Sequence, residues 1–180
     1  ITPSNLDPCQ NMVWEEKWDE NRCILFNGLC FNRTGSLYTK LDRKHTYEVA
    51  KGLEKLFKMH EYFVFDVGFI AHGNLKGTCF LYDIPQHEGT YEERRGLMDG
   101  LEESMSTYSF GMHDKGEQTI VLPEQSTDGD ALYHRCRLHE SDPVLGLREG
   151  VVGKPKHHIY QFSPTENKAK EQGWVKVRYK

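Results

Sequence analysis

The sequence predicts an α+β fold of mostly antiparallel sheets flanked by helices, on two observations. Apolar and polar residues interleave in short runs broken by Gly, Asn and Asp, the pattern of many short strands. Helix-period stretches are few and do not alternate regularly with those runs, which argues against a parallel βαβ sheet. Strands are expected over residues 22–26, 29–32, 62–70, 77–82, 119–123, 150–154 and 174–179. Between the first two, Asn27-Gly28 is a two-residue hairpin signal, because both residue types tolerate positive φ. A helix over 46–58 places Val49, Leu53, Leu56 and Phe57 on one face, and one over 90–104 does so with Leu97, Met98 and Leu101. A third is expected over 129–139, with Asp128 or Asp130 as its cap. Residues 111–116 and the Lys- and Glu-rich 164–172 read as exposed loops.

Composition narrows the class. The chain has 180 residues, enough for a single domain over 1–180 with its own core. No apolar run approaches the roughly 20 residues that cross a bilayer, so no membrane partner is expected. The first residues lack the basic start and apolar core of a secretory signal. Cys9, Cys23, Cys30, Cys79 and Cys136 form no CxxC pair, which argues against a disulfide framework or a zinc ribbon and suits a reducing cytoplasm. A net charge of −4 is unusual for a protein living on DNA, so nucleic-acid binding would need a local basic surface or a further domain.

Glu15-Glu16-Lys17-Trp18-Asp19-Glu20-Asn21-Arg22 is the first segment with a chemical signature, although a charged run alone is commonly a solvated turn. Arg33-Thr34-Gly35 follows at the end of the hairpin. Phe63-Val64-Phe65-Asp66-Val67-Gly68 is an apolar strand with one acid, which is costly to bury unpaired. Then come Phe80-Leu81-Tyr82-Asp83-Ile84, Glu149-Gly150-Val151-Val152-Gly153-Lys154 and Trp174-Val175-Lys176-Val177-Arg178. Tyr82 and Trp174 are equally at home as packing aromatics. His157 and His158 are adjacent on a strand, so they face opposite ways and read as surface residues rather than a metal pair.

In this order the segments resemble the motifs of the covalent nucleotidyltransferase superfamily, most closely the adenylation domain of ATP-dependent DNA ligases. Lys17 to Arg22 is similar to KxDGxR, the Arg33 segment to RxG, and the Asp66 strand to DGE. Tyr82-Asp83 resembles the aromatic-Asp element, Glu149 to Lys154 matches EGxVxK, and Trp174 to Arg178 resembles WxKxK. The last two are the most specific. Tyr91-Glu92-Glu93-Arg94-Arg95 adds a likeness to the Arg-bearing helix of DNA ligases. Glu20 stands where the family has Gly, a place where a side chain is expected to strain the backbone. Gly68 stands where the family has Glu, a residue expected to touch the ribose or assist the metal, and Arg178 replaces a Lys.

The resemblance implies an ATP-grasp-like nucleotidyltransferase domain in which Lys17 takes AMP from ATP. Lys154, Lys176 and Arg178 would meet the α-phosphate. The backbone near Glu15 would read the base, Arg22 the ribose, and Tyr82 would stack on adenine. Arg33 would meet the 5′-phosphate of a nick. Glu149 and Asp66 are the implied Mg2+ ligands, magnesium preferring oxygen donors. A lysine amine attacks only when neutral, and a free lysine has a pKa of about 10.4, so neighbouring cations are part of such a site. The implied partner is nicked DNA, or RNA in an RNA ligase of the same superfamily, engaged by a monomer in repair or replication. Family ligases continue into an OB-fold, which is expected to be absent from this chain, a compactness resembling bacteriophage ligases. The competing reading, prompted by Glu20 and Gly68, is a degenerate relative that binds nucleotides or nucleic-acid ends without turnover.

Overall fold

The computed structural model describes residues 11–32, 34–58, 63–73, 75–101, 112–113, 116–117, 120–143, 145–160 and 173–179. In chain order these form β1 (Met12–Trp18), β2 (Asn21–Phe26), β3 (Leu29–Phe31), α1 (Arg43–Leu56), β4 (Val64–Phe69), β5 (Cys79–Asp83) and α2 (Tyr91–Asp99). There follow β6 (Met112–His113), β7 (Gly116–Glu117), β8 (Ile120–Val121), β9 (Gln125–Ser126), α3 (Gly129–Leu138), β10 (Arg148–Pro155) and β11 (Val175–Arg178). One sheet has the order β11-β10-β1-β9 and the other β3-β2-β4-β5-β8. Every pairing is antiparallel except that of β5 with β8. The expected α+β class with mostly antiparallel sheets is therefore what the chain adopts.

The hairpin between β2 and β3 forms at Asn27-Gly28, where φ is 47° and 75°, and pairs Phe26 with Leu29. Helix α1 begins before residue 46 because the Asp42 carboxylate accepts from the Lys44 amide at 2.9 Å and caps it. Its Val49 and Leu53 are buried against Leu25, Phe65, Val67 and Leu81 of the second sheet. Helix α3 is capped by Asp128 and buries Leu132, Tyr133 and Cys136 against Trp14, Val151 and Val177 of the first sheet. Cys23, Cys30, Cys79 and Cys136 are free and buried, behaving as small apolar residues.

Three expectations are corrected. Residues 12–18, where no strand is expected and the charged run from Glu15 alone reads as a solvated turn, form a strand buried from Trp14 to Trp18. Helix α2 turns Tyr91, Arg94, Arg95 and Met98 inward while Leu97 is 43% exposed, because ion pairs rather than apolar periodicity select its inner face. The segment 111–116 contains half of a small ribbon, β6 pairing with β7, in runs too short to show a period. Residues 164–172 lie outside the described ones. Among the described residues no helix is long and apolar enough to cross a membrane.

Candidate active site

Strand β1 belongs to one sheet and β2 to the other, so the chain crosses between sheets at Asp19-Glu20, just after Lys17. A cleft opens at this crossing, about 330 Å³ counting its mouth. Glu15, Glu16, Lys17, Glu20, Arg22, Tyr82, Val152, Lys154, Trp174 and Lys176 line it. Residues from both sheets therefore converge where the chain passes from one to the other.

Lys17 sits at a bulge in the β1–β10 register, with Gly150 as its partner across the ladder. Gly150 has φ of 147°, and a Cβ there would lie 2.0 Å from the Val177 carbonyl oxygen, so only glycine permits this approach of β10 to β11. The neighbouring Glu149 carboxylate forms an ion pair with the Lys17 ammonium and lies 3.5 Å from Arg178 Nε. Lys17 is 9% exposed, and its ammonium also reaches the Trp18 carbonyl at 3.4 Å.

Lys154 is fully buried. Its ammonium pairs with Glu15 at 2.6 Å, donates to the Tyr82 carbonyl at 3.0 Å and lies 4.5 Å from the Trp174 ring centre. Glu15 is the hub of the cleft floor, also accepting from Tyr91 Oη, from Arg95 at 3.1 Å and from Gln125 at 2.9 Å. Burial pushes the Glu15 carboxyl up, but Lys154 and Arg95 outweigh it and hold the group below its usual range. A second buried pair supports the floor: Arg94 donates to both Asp83 oxygens, at 2.7 and 3.0 Å. A third joins Arg148 to Glu16 at 3.0 Å, with the Trp18 indole N–H donating to Glu16 at 3.2 Å.

Arg22 and Asp66 are committed to each other. Arg22 Nε donates to Asp66 at 2.8 Å, a second guanidinium N–H donates to the other oxygen, and the Tyr160 hydroxyl adds a bond at 2.9 Å. The Arg22 guanidinium stacks 4.2 Å from the Trp174 ring centre. Metal binding by Asp66 would require release of Arg22. Tyr82 lines the cleft with its hydroxyl buried and lacking a hydrogen-bond partner among the described residues. Lys176 is exposed as a whole residue but lines the cleft, where desolvation and then the nearby Arg22 and Lys17 lower its pKa to about 8. Arg33 lies outside the described residues. Among the described residues no three His, Cys, Asp or Glu side chains cluster to hold a metal. Glu149 remains the partly exposed carboxylate beside Lys17, and one carboxylate with substrate phosphates is a set that magnesium accepts.

Glu20 adopts ordinary negative φ, so the strain expected from a side chain at this position is absent. Its Oε2 is buried without a hydrogen-bond partner among the described residues, and burial raises the carboxyl to about 7 against the pull of Arg22 and Lys17. A carboxyl raised above its unfolded value contributes stability that is complete below about 4.5 and lost as pH rises through about 7. Glu20→Gln, which cannot titrate, is therefore expected to melt higher than the wild type at pH 8 and alike at pH 5. A melting difference that stays constant between the two pH values would contradict this.

Sequence reasoning singled out Lys17, Arg22, Tyr82, Glu149, Lys154 and Lys176, and the fold brings them to one cleft and its rim. It missed the supporting roles of Arg94, Arg95, Gln125 and Arg148. The available signal was Arg94-Arg95 on a helix whose apolar face is thin.

No protein-family model matches the chain. No curated protein matches it either. Solved structures do. A mycobacterial DNA ligase D complexed with ATP and MES superposes with a TM-score of 0.62 at 18% identity, over 95% of this chain and 55% of that one. Chlorella virus DNA ligase-adenylate gives a TM-score of 0.57 at 14% identity, over 99% of this chain and 66% of that one. A Lig E DNA ligase, described as binding DNA with a minimal scaffold, gives 0.53 at 12% identity, over 93% and 62%. The chain thus spans between half and two thirds of these proteins. It has the nucleotidyltransferase fold of the ATP-dependent DNA ligase adenylation domains.

Proposed function

We propose that this chain is the adenylate-forming domain of an ATP-dependent polynucleotide ligase, acting on nicked DNA. The observation that carries the reading is Lys17, a nearly buried amine at the cleft wall, paired to Glu149 and sharing its cleft with Lys154 and Lys176. The donor set fits a nucleotide: Tyr82 and Trp174 offer flat walls for a base, and the lysines offer charge for phosphates.

In the first step the lone pair of neutral Lys17 Nζ forms a bond to the α-phosphorus of ATP. The α–β bridging P–O bond breaks and pyrophosphate leaves with that electron pair. The proton given up by the amine passes to water. Lys176 and Arg178 stabilise the charge that develops on the α-phosphate. Magnesium held by Glu149 and phosphate oxygens would neutralise charge on the departing pyrophosphate. In the second step an oxygen of a 5′-phosphate attacks the same phosphorus, the N–P bond breaks, and Lys17 recovers a proton. The net result is AMP carried from ATP to a polynucleotide end.

The test is a chase. The chain is labelled with α-labelled ATP and then mixed with nicked duplexes carrying a 5′-phosphate on DNA or on RNA. Label is expected to move to the DNA 5′ end. Movement to RNA alone would reassign the acceptor, and label retained on the protein with both would contradict a ligase.

A further inference from the structure

Lys17 and Glu149 meet because of an irregularity in the first sheet. Along β1 and β10 alternate residues face α3, as Trp14 and Val151 do, or the cleft, as Glu15 and Val152 do. Lys17 pairs with Gly150, so an unbroken ladder would pair Trp18 with Glu149 and turn Glu149 to the α3 side, away from Lys17. The ladder instead pairs Trp18 with Arg148, which makes Glu149 the extra residue of a bulge. Glu149 is thereby turned back to the cleft side, where it forms its ion pair with Lys17.

Two residues pin this bulge. Arg148 is 8% exposed, its Nε lies 3.0 Å from Glu16 Oε1, and its guanidinium lies 5.3 Å from the ring centre of Trp18, its partner across the ladder. With Arg148 fixed opposite Trp18, β10 cannot return to the regular register that would take Glu149 from Lys17. Tyr179, next to the end of β11, holds the backbone. Its amide N–H donates to the Glu149 carbonyl at 3.0 Å. Its hydroxyl donates to the Arg148 carbonyl at 3.0 Å and lies 3.2 Å from the Cys136 carbonyl. Both carbonyls of the bulge are thus satisfied by one residue. Neither Arg148 nor Tyr179 is among the residues that line the cleft, so neither would touch a nucleotide bound there.

We propose that Arg148 and Tyr179 are positioning residues for the transfer of AMP to Lys17: by pinning the bulge they keep the Glu149 carboxylate against the attacking amine. A slip of the bulge would separate Lys17 from its partner and leave the Tyr82, Trp174 and Lys154 walls in place. The loss therefore falls on the reaction step and spares nucleotide binding. The inference rests on the reading of Lys17 as the residue that takes AMP.

The experiment compares the wild type, Arg148→Met, Tyr179→Phe, Glu149→Ala and each of the first two combined with Glu149→Ala, with melting curves for all. One readout needs no nucleotide: acetylation of Lys17 by trace acetic anhydride, measured by peptide mass spectrometry against the exposed Lys44. The others are the single-turnover rate of adenylation with α-labelled ATP and magnesium, and ATP affinity by calorimetry. An amine released from its carboxylate is acylated more readily, so Arg148→Met is expected to raise Lys17 acetylation toward the Glu149→Ala level. Combined with Glu149→Ala it should add nothing, because a residue that acts through Glu149 has nothing left to position. Arg148→Met is expected to slow adenylation about tenfold to a hundredfold with ATP affinity within about threefold of the wild type, the scale of a small misplacement. Tyr179→Phe, which loses one hydrogen bond, is expected to slow it about twofold to tenfold. If Arg148→Met fails to fold, Tyr179→Phe carries the comparison. Unchanged Lys17 acetylation in the folded variants, or an increase that adds to that of Glu149→Ala, would overturn the assignment. A wild type that never becomes adenylated would overturn the reading of Lys17, and the inference with it. A wild type that becomes adenylated, with variants that match its rate, would overturn the inference alone.

Discussion

Lys17→Ala is expected to abolish covalent adenylation, by at least about a thousandfold, while ATP affinity stays within a few-fold of the wild type. The methyl group of alanine has no lone pair, and no other lysine in the cleft is placed to substitute. Lys154 is fully buried and fixed by Glu15 and the Tyr82 carbonyl, and Lys176 projects from the opposite strand β11. The fold should tolerate the change, because Glu149 keeps Arg178 at 3.5 Å and is partly exposed to water. Loss of this largely buried pair therefore costs less than the roughly 3–5 kcal/mol of stranding a buried charge, because Arg178 and water still reach Glu149. Denaturing gels with α-labelled ATP read the first quantity, and calorimetry and melting read the other two. Label surviving on the Ala variant would remove Lys17 from its role.

Arg94→Ala carries the largest expected effect on stability. Arg94 is 1% exposed, donates to both oxygens of a fully buried Asp83 and reaches the Gly89 carbonyl at 2.6 Å. Removing it leaves a buried carboxylate without its counter-charge, which costs about 3–5 kcal/mol. Domains of this kind are stable by about 5–15 kcal/mol in all, so the loss is a large share. For this chain length it corresponds to a fall in Tm of roughly 6–20 °C. Asp83 follows Tyr82 on β5, so nucleotide binding should weaken as well. An unchanged Tm, with Asp83→Ala as the companion variant, would show that the pair does not hold α2 to β5.

Local pattern made much of this molecule legible. The Asn27-Gly28 turn, the Asp128 cap and the apolar face of α1 are all set by neighbours in sequence, and they form where expected. Strand β1 was hidden because its buried acids and lysine are balanced by distant partners. Glu15 meets Lys154 and Arg95, Glu16 meets Arg148, and Lys17 meets Glu149. The same distance concealed the contact between Glu20 and Gly68, which read separately as two losses and in space share one volume. Motif order located the site; only the fold showed that Arg22 and Asp66 hold each other and that Glu15 anchors the floor.

In the proposed reaction Lys17 becomes the carrier of AMP. The most direct measurement is peptide mapping by mass spectrometry after incubation with ATP and magnesium, under conditions that preserve a phosphoramidate. AMP is expected on the peptide containing Lys17, absent without ATP and lost on treatment with acid. AMP on any other residue would contradict it. So would an unmodified chain that also fails to seal nicks already carrying AMP at their 5′ ends.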